Sequence, residues 1–116
     1  MIGLERPVPT ITPETKEIWE GCKRHKLVLQ RCYSCNTFRF YPCPMCSKCN
    51  SINYQWIEVT GKGKLYSWAV AIRQFHPAFK TPYIVAIVEL EEGEWMLTNI
   101  VDCKPEDVRC EMPVEV

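Results

Sequence analysis

The sequence predicts a mainly β protein with an N-terminal helix, a four-cysteine ribbon and a five-stranded OB-fold barrel. Ten residues separate two Cys-x-x-Cys-Asn segments, measured from Cys35 to Cys46. A capped helical segment precedes them, and five short runs of strand character follow them. Five strands after a ribbon fit a small, partly open barrel of the OB type. We therefore assign residues 1–26 to an arm and helix, 27–52 to the ribbon and 53–116 to the barrel.

The composition indicates one globular unit. The chain has 116 residues, 47% of them hydrophobic, and its 14 basic residues balance 14 acidic ones. A nucleic-acid-binding module usually carries a basic excess, so this balance disfavours that class. No apolar run reaches the roughly 20 residues of a membrane-spanning helix. The first residues lack the basic and apolar regions of a signal peptide, so we expect a cytoplasmic protein.

The N-terminal segment predicts an extended arm followed by one helix. Residues 1–11 contain two prolines and are expected to run extended over a surface. Thr12, Pro13 and Glu14 form a typical helix start, with an N-cap, a proline in the first turn and an acidic group near the positive end of the dipole. The helix should run from about Pro13 to Arg24 and pack on the domain through one apolar face. The residues of that face are Ile18, Trp19 and Cys22.

The two Cys-x-x-Cys-Asn segments predict one metal site. Each hook places two thiolates on one cation, and two hooks supply the closed tetrahedral set that structural Zn(II) favours. Asn36 and Asn50 support this interpretation, because a tight turn leaves the residue after the hook near left-handed geometry, which asparagine tolerates. The predicted zinc ligands are Cys32, Cys35, Cys46 and Cys49.

Three alternatives to that ligand set remain open in the sequence. Eight cysteines also suit a disulfide framework, although paired hooks without a signal peptide favour metal ligands. The same four thiolates suit iron, as in a one-iron electron carrier. Cys43 and Cys46 form a further Cys-x-x-Cys pair, but only Cys46 with Cys49 repeats the trailing asparagine. The other cysteines have no partner spacing and are expected to be small buried residues: Cys22, Cys103 and Cys110.

Strand patterns account for most of the remaining chain. A short strand over 27–31 leads into the first hook, and residues 37–42 form the middle of a ribbon that is too small to fold without metal. Structural zinc contributes on the order of 10–16 kcal/mol in such modules. The pattern in 65–72 alternates strictly, so Tyr66 and Trp68 should share one face, and small residues on the other face would let a further layer approach closely. The five predicted barrel strands span 54–59, 65–72, 83–90, 95–101 and 110–116.

Several motifs, taken together, resemble a known family. They are Leu29-Gln30-Arg31-Cys32-x-x-Cys35, Phe40-Tyr41-Pro42, Cys46-x-x-Cys49-Asn50-Ser51, Gly61-Lys62-Gly63-Lys64-Leu65-Tyr66-Ser67-Trp68, and the segments 75–79, 82–90 and 92–93. In this order they resemble the DUF35 family, whose members join a rubredoxin-like zinc ribbon to an OB-fold domain and are associated with acyl-CoA. The chain departs from the family pattern in two respects. Asparagine replaces the usual glycine after both hooks, and Cys43 stands where members often carry arginine.

The resemblance implies a non-catalytic accessory subunit. Members of the family partner thiolase-superfamily subunits, among them acyl-CoA thiolases, which are acyltransferases, and thiolase-like aldolases. The expected partner is therefore a thiolase-fold catalytic subunit that supplies the catalytic Cys and His. Two copies of this chain on a dimeric enzyme are the expected assembly, and the small subunit of a thiolase of the benzoylsuccinyl-CoA type is one candidate. Coenzyme A or an acyl-CoA would be bound jointly with the partner.

The residues themselves indicate little catalytic chemistry in this chain. Of its two histidines, His25 falls at the predicted helix end and His76 in a loop rich in Phe and Pro. No nucleophile, base and orienting group can be assembled from them, and zinc with four thiolates has no open position for water. Phe75 and Phe79 are expected to contact the partner rather than coenzyme A. The full set of expected coenzyme A or partner contacts is Lys62, Lys64, Arg73, Phe75, His76, Phe79 and Lys80.

Two other functional hypotheses compete with the accessory subunit. One is a ribbon and OB module that binds single-stranded nucleic acid through aromatic and basic groups. The balanced charge and the acidic turn at 91–94 count against it. The other is the one-iron electron carrier.

Overall fold

The computed structural model describes residues 6–116 and confirms the predicted class, a mainly β protein with one N-terminal helix. Of the arm predicted for 1–11, residues 1–5 lie outside the described residues, and residues 6–12 form neither helix nor strand. No helix in the described part of the chain is long and apolar enough to cross a membrane. The elements are α1 (Lys16–Lys23), β1 (Val28–Cys32), β2 (Phe38–Arg39), β3 (Tyr54–Glu58), β4 (Lys62–Ala71), β5 (Tyr83–Leu90), β6 (Trp95–Ile100), a 3-10 turn (Pro105–Asp107) and β7 (Pro113–Glu115).

Helix α1 begins later than predicted. Residues 13–15 form a turn, and the regular helix starts at Lys16, whose N–H donates to Thr12 O at 2.9 Å. The predicted apolar face is only partly correct, because Ile18 is buried whereas Cys22 is exposed. Gly21 takes the position against the sheet instead. A Cβ on Gly21 would stand 3.0 Å from Lys26 O, so the close approach of helix and strand requires glycine there.

The prediction that the unpaired cysteines are small buried residues is wrong. Cys22 and Cys110 are exposed, and Cys103 is half-buried. Spacing excluded these thiols from the metal site but carried no information about the depth of each position. Burial depends on which elements cover the position, and here Gly21 rather than Cys22 meets the sheet.

The first sheet has the order β2-β1-β3 and is antiparallel throughout. Its central strand β1 is buried along most of its length, and Leu29 is fully buried. Strand β3 pairs with β1 over five residues, from Val28 opposite Glu58 to Cys32 opposite Tyr54. The ribbon strand is therefore hydrogen-bonded to the first strand that we assigned to the barrel.

The second sheet has the order β6-β5-β4-β7, also antiparallel. Along β5 every second side chain is buried, which creates a buried face and an outer face. The buried residues pack in two clusters with side chains from the rest of the chain. The first cluster contains Leu27, Leu29, Val88 and Leu90. The second contains Leu65, Ile84, Ala86 and Val108.

A β-bulge interrupts the alternation predicted for β4. The register shifts between Leu65 and Ser67, so Tyr66 is the extra residue. Trp68 lies opposite Ala86, whose side chain is buried, whereas Tyr66 stacks on Trp95 at the outer face. The prediction that Tyr66 and Trp68 share a face is therefore wrong, because one inserted residue reverses the phase of the strand.

Candidate functional site

The four cysteines of the two hooks come together at one point. The Sγ atoms of Cys32, Cys35, Cys46 and Cys49 all lie within 4.8 Å of one another. Cys32 Sγ is 3.5 Å from Cys49 Sγ, and Cys35 Sγ is 3.6 Å from Cys46 Sγ. Four sulphurs at about 2.3 Å from a central Zn(II) would be about 3.8 Å apart, so the cluster has the dimensions of a tetrahedral zinc site.

The two hooks have almost the same backbone geometry. Asn36 N–H donates to Cys32 O and Asn50 N–H donates to Cys46 O, both at 2.9 Å. Asn36 has a φ of 60° and Asn50 a φ of 62°, so the predicted left-handed geometry is confirmed. The first cysteine of each hook accepts N–H groups of its own turn, which lowers the thiol pKa. The largest contribution comes from the Cys35 N–H for Cys32 and from the Cys49 N–H for Cys46.

Cys49 differs from the other three thiols in its pKa. The largest single influence, the Ser51 N–H, lowers the pKa. The adjacent Cys32 sulphur, burial, and the Cys35 and Cys46 sulphurs together outweigh it and raise the pKa of Cys49 to about 12. A fourth negative charge next to the others is therefore unfavourable until a cation shares the site.

Zinc binding is accordingly expected to release at least one proton at neutral pH. In the folded cluster, a Cys49 pKa of about 12 keeps this thiol protonated until a cation is bound. A cysteine in an unfolded ribbon is also protonated at neutral pH, because a free thiol has a pKa of about 8.5. The thiolate is the form that binds zinc. The apparent affinity should then rise with pH by about tenfold per unit for each proton released. Chelator competition between pH 6 and 8 measures this slope. An affinity independent of pH would show that all four thiols are already ionised.

A buried arginine and a glutamine hold the backbone beside the second hook. Gln30 Oε1 accepts bonds from Arg39 Nε at 2.7 Å and from Cys43 N–H at 2.9 Å, and Arg39 Nη2 donates to Cys43 O at 2.9 Å. Arg39 is 9% exposed and lies over the Tyr54 ring at 5.0 Å. Within residues 6–116 it makes no ion pair with a carboxylate. Cys43 is thus held by its backbone, and its thiol donates to Met45 O, apart from the four-sulphur cluster.

Arg39→Met is expected to lower the free energy of unfolding of the zinc-loaded chain by roughly 1–3 kcal/mol, because Gln30 Oε1 and Cys43 O lose their charged donor. Arg31→Met is the matched control. Arg31 belongs to the adjacent strand, is half-buried and makes one bond, from Nε to Asn36 O at 3.2 Å. Its loss should cost less than about 1 kcal/mol. Urea denaturation compares the two variants. Equal losses in the free energy of unfolding would show that Arg39 does not hold the backbone beside the second hook.

The outer face of the second sheet is apolar and uncovered by any described residue. Here the outer face means Tyr66, Ser67, Ala69, Val85, Ile87, Trp95 and Leu97. The Tyr66 and Trp95 rings stack with centroids 4.4 Å apart, yet these residues are 48% and 51% exposed, and Leu97 is 56% exposed. Beside them lies a shallow groove of about 200 Å³ between β4, β5 and β6. A sheet face of this kind is normally covered by a further layer.

The predicted contact residues divide into two groups. Lys62 and Lys64 begin β4, whereas Arg73 to Lys80 form the loop after its end. Ten strand residues at about 3.3 Å each put roughly 30 Å between the groups. In the strand register, Lys64 lies opposite Glu89 and Lys62 lies opposite Glu115. The two lysines are therefore placed among acidic residues and far from the aromatic loop.

The loop brings three of the remaining predicted contacts, His76, Phe79 and Lys80, close to Arg6, which the sequence did not indicate. Arg73 and Phe75 contact each other, with Arg73 Cζ 5.7 Å from the Phe75 ring centre. Arg6 Cζ lies 4.9 Å from the Phe79 ring centre, and the His76 and Phe79 rings meet edge to face. Arg6, Phe79, Lys80 and Tyr83 line a cavity of about 60 Å³ together with the end of β6. His76 Nδ1 accepts the Ala78 N–H at 3.0 Å. Two cations thus stand beside aromatic rings at one end of the outer face.

Sequence reasoning missed three features of these sites. Nothing in the sequence linked Arg6 to the distant loop. The polar pair Gln30 and Arg39 inside strand patterns was a signal for a buried network, because such positions are usually apolar. Trp95 and Leu97 point outward from β6, and the inward side of the same strand is also largely apolar. Apolar residues on both sides of one strand were a signal for a sheet covered on both faces.

Comparison with known proteins gives two family matches. The ChsH2 rubredoxin-like zinc ribbon domain matches residues 19–52, and the ChsH2 C-terminal OB-fold domain matches residues 56–116. The zinc ribbon match and the four-sulphur geometry together support structural zinc.

Relatives and a solved structure agree with these matches. A "Probable enoyl-CoA hydratase alpha subunit" of Thermomonospora curvata is 42% identical over 94% of this chain, which spans only 34% of that protein's length. A "DUF35 domain-containing scaffold protein" of Methanocaldococcus jannaschii is 41% identical over 84% of this chain and 71% of its own length. The structure named "Ltp2-ChsH2(DUF35) aldolase" contains a chain that superposes with a TM-score of 0.85 at 41% identity, covering 93% of this chain and 85% of that one.

Proposed function

The chain belongs to the DUF35 family, with the zinc ribbon and OB-fold domains of ChsH2, and from this premise we propose that it is a non-catalytic accessory subunit of an acyl-CoA-processing enzyme. Its catalytic partner is a thiolase-superfamily subunit, whose acyl-CoA site the chain helps to form. The specific candidate is a thiolase of the benzoylsuccinyl-CoA type, with two copies of the chain on a dimeric enzyme.

The uncovered outer face is the observation that carries the proposal. Apolar surface rimmed by polar residues marks protein–protein contact sites, and Trp and Tyr are the residues that most often dominate binding energy. Here a stacked Tyr66–Trp95 pair and Leu97 stand half-exposed on a sheet. A catalytic subunit covering this face would supply the layer that the described residues do not provide.

The chain's own groups favour an accessory over a catalytic role. A cage of four thiolates leaves zinc no open position for water or substrate. Neither of its two histidines is part of a catalytic set. His25 is in left-handed geometry after α1, and His76 accepts a hydrogen bond within its own loop. Zinc in this site would brace the ribbon, and catalysis would belong to the partner.

Acyl-CoA contact is supported at the loop end of the outer face. Phosphates of coenzyme A require cations and its adenine requires an aromatic surface. Arg6 and Lys80 lie beside Phe79 and Tyr83, whereas Lys62 and Lys64 lie near Glu115 and Glu89. The loop group is therefore the better candidate of the two predicted groups. The hydratase name of the Thermomonospora relative also connects a family member with acyl-CoA.

Reconstitution tests the proposal. The thiolase-superfamily subunit from the same cells is assayed alone and with the purified chain, on benzoylsuccinyl-CoA and on acetoacetyl-CoA. We expect kcat/KM to fall at least about tenfold when the chain is omitted, because an incomplete acyl-CoA site loses transition-state binding. The chain alone should turn over neither substrate. Full activity of the catalytic subunit by itself, with no complex formed, would refute the accessory role.

A further inference from the structure

We propose that the free edge of strand β4, Ser67–Ala71, receives an extended apolar segment of the catalytic subunit as an additional β-strand. The inference rests on the proposed function and assigns its docking mode. A strand that adds to a sheet edge gains affinity from main-chain hydrogen bonds and specificity from alternate side chains.

Strand β4 is paired on both sides at one end only. Over Lys62–Lys64 it has β5 on one side and β7 on the other, and Leu65 continues with bonds to Met112 O and from Glu111 N–H. The bulge at Tyr66 ends this double pairing. From Ser67 to Ala71 the strand pairs with β5 alone, and residues 6–116 offer its other side no backbone partner. About 16 Å of edge therefore presents unused N–H and C=O groups.

Apart from the bulge at Tyr66, which precedes it, the free part of the edge lacks the devices that keep sheet edges from pairing. Proteins protect exposed edges with charged side chains, proline or very short strands. The paired end of β4 has such groups, since Lys62 and Lys64 lie on it and Pro113 is in β7. Ser67-Trp68-Ala69-Val70-Ala71 contains neither charge nor proline. An edge in this state is expected to be covered in the working assembly.

The side chains at the edge specify the kind of segment that fits. Ser67 and Ala69 are small and point to the outer face, where they leave the groove of about 200 Å³ against Ile87 and Leu97. Bulky apolar side chains on an incoming strand would fill that groove. Beyond the strand end, Ile72 is also exposed. The occupant is thus an extended segment with large aliphatic or aromatic residues on alternate positions.

A second copy of this chain fits the edge less well. Antiparallel pairing of β4 with itself about Ala69 would place Ala69 opposite Ala69 and Ser67 opposite Ala71. Small residues would then face small residues, and the groove on the outer face would stay empty at a cost in packing. At the other edge of the sheet, Arg6 lies beside the end of β6, and a charge at a sheet edge disfavours a further strand there. These contrasts favour the catalytic subunit at β4.

Amide hydrogen exchange tests the added strand. Exchange is measured by NMR for the free chain and for its complex with the thiolase-superfamily subunit that co-purifies with it. Alternate amides within Ser67–Ala71 should slow by at least about tenfold in the complex, because new backbone bonds protect them. The exchange of the Trp95–Ile100 amides, in the strand at the other edge of the same sheet, is the control. Ala69→Lys should weaken the complex at least about tenfold, whereas Asp107→Lys, on the exposed 3-10 turn, should not.

Each outcome of this experiment is decisive. A complex in which the Ser67–Ala71 amides exchange as in the free chain would overturn the added strand and leave the accessory role standing. Protection of the same amides in concentrated free chain would put a second copy there and overturn the assignment to the catalytic subunit. Failure of any such complex to form would overturn the proposed function, and the added strand with it.

Discussion

Cys46→Ser is expected to abolish zinc binding and unfold the ribbon, whereas Cys43→Ser is expected to leave both intact. Cys46 contributes one of the four clustered sulphurs, and Cys43 does not. Apart from β1, which packs in the first core cluster, the ribbon has only the two-residue strand β2. The folding of its two hooks therefore depends on metal, worth on the order of 10–16 kcal/mol in comparable modules. Serine is a poor zinc ligand, so most of that contribution should be lost.

Metal analysis and circular dichroism measure the two variants. The wild-type chain and Cys43→Ser should retain equal zinc, and Cys46→Ser should lose most of it, with exchange of the β1 and β2 amides increasing strongly. Cys43→Ser keeps the bonds that Gln30 and Arg39 make, because they go to the backbone of residue 43. Equal zinc loss in both variants would show that Cys43 is a ligand. Iron in place of zinc would revive the electron carrier.

Trp95→Ala is expected to weaken binding to the catalytic subunit by roughly 30- to 1,000-fold, the range of a dominant interface residue at 2–4 kcal/mol. Trp95 stacks on Tyr66 and is half-exposed, so a covering subunit would bury a large aromatic pair. The stability of the free chain should change by less than about 1 kcal/mol, because the outer face takes no part in the two core clusters.

Tyr33→Ala is the matched control for this variant. Tyr33 is an aromatic residue of the ribbon, 60% exposed, on the first hook. Titration calorimetry compares the two variants against the same catalytic subunit. Equal affinities for the wild-type chain and Trp95→Ala would remove the outer face from the interface. A loss confined to Tyr33→Ala would assign docking to the ribbon.

Local rules predicted the geometry of the two cysteine hooks. A Cys-x-x-Cys turn followed by asparagine defines its geometry within five residues, and both turns have this geometry. The preference for Cys49 over Cys43 used the trailing asparagine, a local feature that places Cys49 in the cluster. The OB class was likewise accessible, because it required only the number and order of strands.

Non-local features were not predictable in the same way. The bulge at Tyr66 reverses the phase of β4, and strict alternation in the sequence contained no sign of an extra residue. The length of β4 then separates Lys62 from Lys80, which the sequence suggested as parts of one contact set. The buried Arg39 depends on Gln30 nine residues earlier and on the Cys43 backbone. Each of these depends on how elements pair and pack, which residue spacing does not specify.

We propose that this chain is a zinc-braced partner of a thiolase-superfamily subunit. Purification of the chain from its native cells, with mass spectrometry of the intact assembly and elemental analysis, tests it most directly. We predict a complex with equal numbers of this chain and a thiolase-superfamily polypeptide, with a zinc ion for each copy of this chain. Recovery of the chain as a lone monomer, or only with other proteins or nucleic acid, would contradict the claim.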